Sequence, residues 1–168
     1  MYRWDTFTKR IAIHCMPSLV FECFATARGM ESWFLRVCEY ADAQGKVLSK
    51  NEVVKPGDLY TFYWHGWLDT IFEKGEILEI VDDKSIRFTF NGNGDTNMIV
   101  LVEISEEGKN TMLSLTQYNI GEDDHSRSHW HIGCMTGWIF YMTNLKSILE
   151  GGIDLRNMDA GITDVINA

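Results

Sequence analysis

Large side chains in the C-terminal third of the chain recur at helical spacing. They lie three and four residues apart, so they share one face of a helix. The positions are His131, Met135, Trp138, Met142, Leu145 and Leu149, and the stripe is widened by Cys134, Tyr141 and Ile148. Gly151 and Gly152 are typical of a helix end, and either Asp123 or Asp124 is suited to cap its start. The pattern predicts one long helix between these signals.

Alternation of apolar and polar residues predicts strands over most of the remaining chain. Strands are expected in FTKRIAIHC, LRVCEYAD, DLYTFYWHGW, TIFEKGEILEIVDD, SIRFTF, TNMIVLVEI and TMLSLTQY, with the last two joined as a hairpin. Two of these strands place large side chains on a single face: Tyr60, Phe62 and Trp64 in the third, and Ile86, Phe88 and Phe90 in the fifth.

Two short helices are expected between the first two strands. Pro17 suits the first turn of a helix, and Leu19 falls on its apolar face. Gly29 is expected to end that helix, and MESWF to form a second short turn. Trp33 and Phe34 then follow near the open end of the fold, where they either plug the core or act as a gate that admits a ligand.

A run of strands beside segregated helices predicts an α+β fold. We expect a single domain over residues 1–168, in which a curved antiparallel β-sheet wraps around the long C-terminal helix. Because a curved sheet and a straight helix differ in shape, a gap is expected between them, and the aromatic residues are expected to line it.

Composition and charge restrict the class of partner. The chain has 168 residues, of which 45% are hydrophobic and 12% aromatic, and its formal net charge is −9. Nucleic acid is an unsuitable partner for an acidic protein, since phosphate binding needs a basic surface. No apolar run reaches the length of a membrane span, and the first residues lack a signal-peptide core. These features favour a cytoplasmic protein that does not insert into a membrane, with its four cysteines reduced.

Three histidines precede the predicted helix and raise the question of a metal site. Zinc accepts three imidazoles, but His129 and His131 point to different faces of a helix, so a site that also includes His125 needs the loop to fold back. The favoured interpretation is that His125 and His129 are solvated. His131 is expected to lie at a cavity mouth, either as a structural residue or as a hydrogen-bond partner of a ligand.

The sequence contains no nucleophile elbow, phosphate-binding loop or dinucleotide fingerprint. The acidic residues show no pair that demands an acid–base role. We therefore expect no cofactor, no metal and no catalytic residue, and a non-enzymatic function is favoured over an enzymatic one.

Four segments carry a family resemblance: PSLVFECFATARGMESWF, GDLYTFYWHG, GEILEIVDDKSIRFTF and GWIFYMTNLKSILEGGIDLR. Together they resemble the START-like and birch-allergen-like superfamily, also called SRPBCC. Within it the chain is similar to homologues of the activator of the 90-kDa heat-shock-protein ATPase. The resemblance implies the helix-grip fold, in which a curved antiparallel sheet wraps around a long C-terminal helix. It also implies either a cavity for small hydrophobic molecules or a protein-binding module.

The function expected from pattern and resemblance together is non-catalytic binding of a small hydrophobic or amphipathic molecule between the sheet and the last helix. The alternative is a chaperone-interacting module, and a cavity enzyme is a third hypothesis that lacks a catalytic constellation. The expected ligand-binding residues are Trp33, Tyr60, Phe62, Trp64, Phe88, Phe90, His131, Met135, Trp138, Tyr141 and Met142.

Overall fold

The computed structural model describes residues 2–94, 96–162 and 165–167. Seven antiparallel strands form one sheet in the order β1-β7-β6-β5-β4-β3-β2. The strands are β1 (Thr6–Ile13), β2 (Val37–Ala41), β3 (Leu59–Tyr63), β4 (Glu73–Val81), β5 (Ser85–Thr89), β6 (Ile99–Glu107) and β7 (Asn110–Tyr118). The helices are α1 (Pro17–Ala25), α2 (Ala27–Trp33) and α3 (Cys134–Leu149), and a π-helical segment (Ser126–Gly133) precedes α3. The α+β helix-grip fold predicted from the sequence is confirmed.

The strand alternation read from the sequence determines which face of the sheet is covered. Phe62 of β3, Phe88 of β5 and Val102 of β6 are 1%, 3% and 0% exposed, and all three lie on the face turned toward the helices. Their neighbours along each strand, such as Thr61 and Arg87, are half-buried on the outer face. This alternation buries one face of the sheet and leaves the other face partly exposed to solvent.

The two short helices meet closely between β1 and β2. Pro17 is the first residue of α1, as predicted, but Leu19 is 40% exposed, so the expected apolar face is shifted. The break also lies earlier than predicted, at Thr26, whose side chain accepts the Gly29 amide N–H at 2.9 Å. Gly29 instead allows close packing, because a Cβ at that position would lie 2.1 Å from the Glu22 carbonyl oxygen.

The C-terminal helix departs from the prediction at its start. Asp123 is the residue that caps it, since its Oδ1 accepts the Ser126 amide N–H at 3.0 Å and its Oδ2 accepts the Ser126 hydroxyl at 2.6 Å. The first turns after this cap are π-helical rather than α-helical. Because the π turn is wider, side chains before Gly133 do not continue the face that α3 presents to the sheet.

The segment after α3 returns to the short helices and positions them. Asn144 of α3 donates to the Trp33 carbonyl oxygen at 2.8 Å and accepts the Leu155 amide N–H at 2.7 Å. Arg156, 8% exposed, donates to the carbonyl oxygens of Glu31, Ser32 and Leu35, each at 3.0 Å. These bonds satisfy acceptors at the end of α2, where helices lack internal partners. Within the described ranges, the helices are too short or too polar to cross a membrane.

Candidate ligand-binding site

Phe34 lies at the centre of a group of aromatic rings between the sheet and α3. It caps the C-terminus of α2 and is 3% exposed. Its ring stacks on Trp33 with centroids 5.2 Å apart and on Trp138 with centroids 4.9 Å apart. The rings of Tyr141 and Trp64 contact Phe34 edge-on, with centroids 4.8 Å and 5.9 Å from the Phe34 centroid. We call Trp33, Phe62, Trp64, Trp138 and Tyr141 the aromatic cage, because all five rings contact Phe34.

The sheet contributes a second layer of rings beneath this cage. Tyr60 stacks on Phe62 with centroids 4.0 Å apart, and Phe88 meets both at their edges. The Tyr60 hydroxyl donates to the Thr89 carbonyl oxygen. Gly75 of β4 makes room for that bond, since a Cβ there would lie 2.5 Å from the Tyr60 oxygen. These three predicted site residues therefore form the floor of the site.

The helix contributes the predicted stripe as the opposite wall. Trp138, Tyr141 and Met142 are 3%, 8% and 2% exposed, and Met135 is half-buried at the N-terminal end of α3. Large apolar side chains with polar tips suit a ligand-binding wall. Trp33 lies deeper, fully buried, with its indole N–H donating to the Cys23 carbonyl oxygen at 3.0 Å.

One end of the cage approaches solvent. Trp64, at the end of β3, and Phe90, just after β5, are half-buried, and Phe90 contacts Trp138 with centroids 5.6 Å apart. Trp130 packs on the backbone of Gly92, where a Cβ would lie only 2.7 Å from its ring. Trp64, Phe90 and Met135 are the half-buried members of the predicted set, and the others are buried.

A fully buried amide lies among these rings. Gln117 of β7 is 0% exposed and accepts the Trp138 indole N–H at 2.9 Å. Its own N–H donates to the Met98 sulfur at 3.2 Å, and Cys134 also hydrogen-bonds it. Thioether and thiol sulfurs are weak hydrogen-bond partners, so the N–H groups of this amide are paired only weakly in an apolar setting.

Burial raises the pKa of the thiol and the phenol groups around the cage. It raises the pKa of the Cys134 thiol to about 11 and that of the Tyr141 hydroxyl to about 12. The pKa of Tyr60 is raised by burial and, to a lesser degree, by the Glu73 carboxylate. A thiol and two phenols are neutral at pH 7 even at their ordinary pKa values, and burial extends this neutral range to higher pH because the interior disfavours charge.

His131 lies elsewhere than expected. It is fully buried, but its Nδ1 bonds the Trp4 carbonyl oxygen and its Nε2 bonds the Tyr2 hydroxyl, both at 2.8 Å. The rings of Tyr2, Trp4 and Phe7 surround it. The expectation that His131 lies at the cavity mouth is therefore wrong. The π-helical segment turns its side chain toward the N-terminal residues instead.

The other two histidines remain at the surface. His125 and His129 stack with centroids 5.1 Å apart, and both are exposed. Across residues 2–94, 96–162 and 165–167, no three His, Cys, Asp or Glu side chains gather as a metal site would require.

Three pockets with volumes of about 1100, 660 and 360 Å³ lie outside the cage. The second is lined by Leu59, Thr61 and Lys74, which point away from α3. Beneath α3, the ring of Phe34 occupies the centre of the cage. The site is therefore closed by a side chain of the protein in this structure.

Comparisons with known proteins identify the family. The sequence model described as "Activator of Hsp90 ATPase homolog 1-like protein" matches residues 14–150. The chain belongs to this family. No curated protein sequence matches it.

Solved structures of similar proteins agree with the activator-like fold. A protein of Staphylococcus saprophyticus is 16% identical, with a TM-score of 0.67 over 90% of this chain and 96% of its own. The Aha1 dimer of Colwellia psychrerythraea is 17% identical, with a TM-score of 0.64 over 88% and 97%. An HSP90 activator of Plasmodium falciparum is 20% identical, with a TM-score of 0.61 over 87% and 96%. At these identities the likeness shows the fold alone.

Two residues of this activator-like chain were missing from the predicted site. Gln117 continues the alternation of Leu113 and Leu115 in β7, so the sequence pattern already indicates that its side chain lies on the covered face. For Phe34 the sequence predicts either a core plug or a gate, but a residue between two elements has no periodicity to show where its ring points. Its central position follows only from the packing of α2 against α3 and the sheet.

Proposed function

We propose that this protein binds a small hydrophobic molecule in the aromatic cage, without catalysis. The observation that carries the proposal is the place of Phe34, a flat side chain held by five surrounding rings. A cage that holds one flat ring has the shape to hold another. Phe34 is the residue that ends α2, and a ligand that enters the cage takes the place of its ring.

Burial of apolar ligand surface provides the driving force. Each Å² removed from water contributes roughly 25 cal/mol, and the displacement of Phe34 and the ordering of the ligand offset part of this gain. The proposed wall comprises Trp33, Tyr60, Phe62, Trp64, Phe88, Phe90, Met135, Trp138, Tyr141 and Met142. His131 is left out, since both its ring nitrogens are bonded to protein atoms. The proposed compartment is the cytoplasm.

Uptake of the neutral fluorescent dye Nile red tests this proposal. The wild-type protein should bind it saturably at one site. Trp138→Ala and Phe88→Ala should each weaken the binding about tenfold or more, which corresponds to at least 1.4 kcal/mol. Tyr63→Ala is the matched control, since Tyr63 lies on the outer face of β3 beside Phe62. Unchanged binding in both folded site variants contradicts the proposed location.

Native mass spectrometry of the protein purified from its own cells provides a second readout. A retained small molecule that Trp138→Ala loses and Tyr63→Ala keeps supports the proposal. A protein that carries no molecule and takes up no apolar probe would leave the cage as an ordinary core.

A specific surface supports a second candidate, a chaperone-interacting module. Trp67, Leu68 and Ile71 lie between β3 and β4 and are 58%, 75% and 49% exposed. Exposed apolar groups on an acidic protein are typical of a docking surface. The similarity to an HSP90 activator makes the 90-kDa heat-shock protein the partner to test.

The chaperone's ATPase rate separates the two candidates. Stimulation that is lost in Trp67→Ala and Leu68→Ala, and kept in Trp138→Ala, favours the docking module. No stimulation together with saturable dye uptake favours the carrier.

A further inference from the structure

We propose that the ligand is a flat, uncharged ring system with one hydrogen-bonding group, and that Gln117 determines this specificity by binding that group. This inference rests on the proposed function and adds the chemical class of the ligand. It depends on three features of the cage: a buried amide, a stacked geometry and nearby arginine and histidine side chains that, among the described residues, are already paired or neutral.

The orientation of the Gln117 amide follows from its partners. An indole N–H can only donate, so the atom facing Trp138 is the amide oxygen, at 2.9 Å. The amide nitrogen is then turned toward Met98, where its partner is a thioether sulfur at 3.2 Å. A carbonyl oxygen is a stronger acceptor than a thioether. A ligand with a carbonyl oxygen therefore accepts a stronger hydrogen bond from the Gln117 amide nitrogen than the Met98 sulfur does.

The stacking geometry favours a flat ligand. Phe34 and Trp138 are nearly parallel, with an interplanar angle of 28°, and Phe34 and Trp33 make an angle of 27°. The ring of Phe34 thus lies between two indoles in a slot that is one ring thick. A flat aromatic molecule that displaces Phe34 keeps both stacking contacts, whereas a flexible alkyl chain would lose them.

The electrostatic setting disfavours an anion. The Glu73 carboxylate is 6% exposed, and its charge helps to raise the pKa of both Tyr60 and Cys134. A carboxylate ligand near Gln117 would meet the same repulsion, in addition to the penalty of leaving water.

Among the described residues, two arginines and one histidine near the cage are already paired or neutral. All five N–H groups of Arg156 are used by Asp154 and by three backbone carbonyl oxygens. Arg36 pairs with Asp69 and donates to the Trp64 carbonyl oxygen. Burial lowers the pKa of His65, so its imidazole is neutral near pH 7. A fatty-acid carboxylate therefore lacks the partner that its burial requires.

Lys9 is the cation against which the proposal has to be tested. Lys9 is half-buried on β1 and lies on the same face as Phe7. In the pairing of β1 with β7, Phe7 lies opposite Gln117, so Lys9 is two residues along the strand from that position. If an anionic ligand used this ammonium group, Lys9→Met would abolish its binding.

Three probes with one ring system separate shape, charge and hydrogen bonding. They are anthracene, anthracene-2-carboxamide and anthracene-2-carboxylate, and binding is followed by probe fluorescence at pH 7. We expect the carboxamide to bind wild-type protein at least tenfold tighter than the carboxylate. Gln117→Leu should weaken the carboxamide about tenfold and change anthracene binding less than twofold. Gln117→Met is a second variant that suits the sulfur-rich surroundings.

Each outcome bears on either the specificity or the function. If the carboxylate binds as tightly as the carboxamide, or if Lys9→Met abolishes its binding, the charge selection is wrong and the carrier function stands. If Gln117→Leu weakens all three probes equally, Gln117 does not determine specificity. If neither these probes nor Nile red bind, the proposed function fails along with the inference. The comparison in the wild-type protein holds even if the Gln117 variants do not fold.

Discussion

The Phe34 ring stacks on the Trp138 indole with centroids 4.9 Å apart and an interplanar angle of 28°. This contact joins the end of α2 to the N-terminal half of α3 over the covered face of the sheet. Phe34 thus both stabilises the fold and occupies the site that we propose for a ligand. The two roles oppose each other, since a ligand that enters must replace the contacts that Phe34 makes.

Replacement of Phe34 by alanine should therefore destabilise the protein and leave a ring-sized cavity. The expected loss in the free energy of unfolding is about 3–5 kcal/mol, typical of Phe→Ala in a packed core. Chemical denaturation measures it, with Tyr63→Ala on the outer face as the control. Nile red should restore part of the lost stability, because it binds only the folded state. A loss below about 1 kcal/mol would mean that Phe34 is not packed as the structure shows.

The bond between Gln117 and Trp138 should appear as a coupling energy. Gln117→Leu leaves the buried indole N–H without its acceptor, and Trp138→Phe leaves the buried amide oxygen without its donor. Each change should destabilise by about 1–3 kcal/mol. The double variant should lose less than the sum of the two, by about 0.5–3 kcal/mol, in a double-mutant cycle. Additive losses would show that the two side chains do not interact.

His131 should fix the N-terminal residues to the π-helical segment. His131→Ala removes two hydrogen bonds, to Tyr2 and Trp4, from a fully buried position. We expect faster hydrogen exchange over residues 2–7 and a loss of about 1–3 kcal/mol. Binding of Nile red should change less than twofold, because His131 does not face the cage. His129→Ala, at an exposed position, is the control.

Arg156 should be essential for the position of the short helices. Arg156→Met leaves three carbonyl oxygens and Asp154 without their donor, and the expected loss is about 3–5 kcal/mol. Arg156→Lys should restore little of it, since an ammonium group has three donors where the guanidinium has five. Thermal unfolding compares the variants with Arg28→Met, a change on an exposed helix position. Full stability of Arg156→Lys would contradict the geometry.

Stability should fall as the pH rises above 9. Burial raises the pKa of Cys134 from 9.0 to about 11, so the thiol stays protonated in the folded state while it ionises in the unfolded chain. The stabilisation is complete below pH 9 and is lost as the pH rises to about 11, up to about 2–3 kcal/mol. Denaturation at several pH values should show a shallower decline in Cys134→Ala than in the wild type.

The same burial should slow the reaction of this thiol. At pH 8 a pKa of about 11 leaves about 100-fold less thiolate than a pKa of 9.0, and the thiolate is the reactive form. Mass spectrometry of the iodoacetamide-treated protein should find Cys134 unmodified under conditions that modify the urea-unfolded chain. Rapid labelling in the folded protein would show that the site is open to water.

The sequence and the structure agree best where a repeated pattern carries the information. The alternation around Phe62 and Phe88 predicted the covered face of the sheet, and the stripe through Trp138 and Met142 predicted the wall that α3 presents. The predicted position of His131 was wrong, because the turns before α3 depart from the 3.6-residue period of an α-helix. His131 occupies a stripe position on an ideal α-helix, yet the π-helical turns direct it to Tyr2 and Trp4.

By itself, the sequence determined the α+β helix-grip class, the order of the elements and the family resemblance. These depend on local periodicity, which each segment shows without reference to the others. Only the tertiary structure decided that Phe34 fills the cage, that Gln117 meets Trp138 and that Arg156 binds the end of α2. Such contacts join residues far apart in the chain, and their geometry is set by how the sheet and the helices pack together.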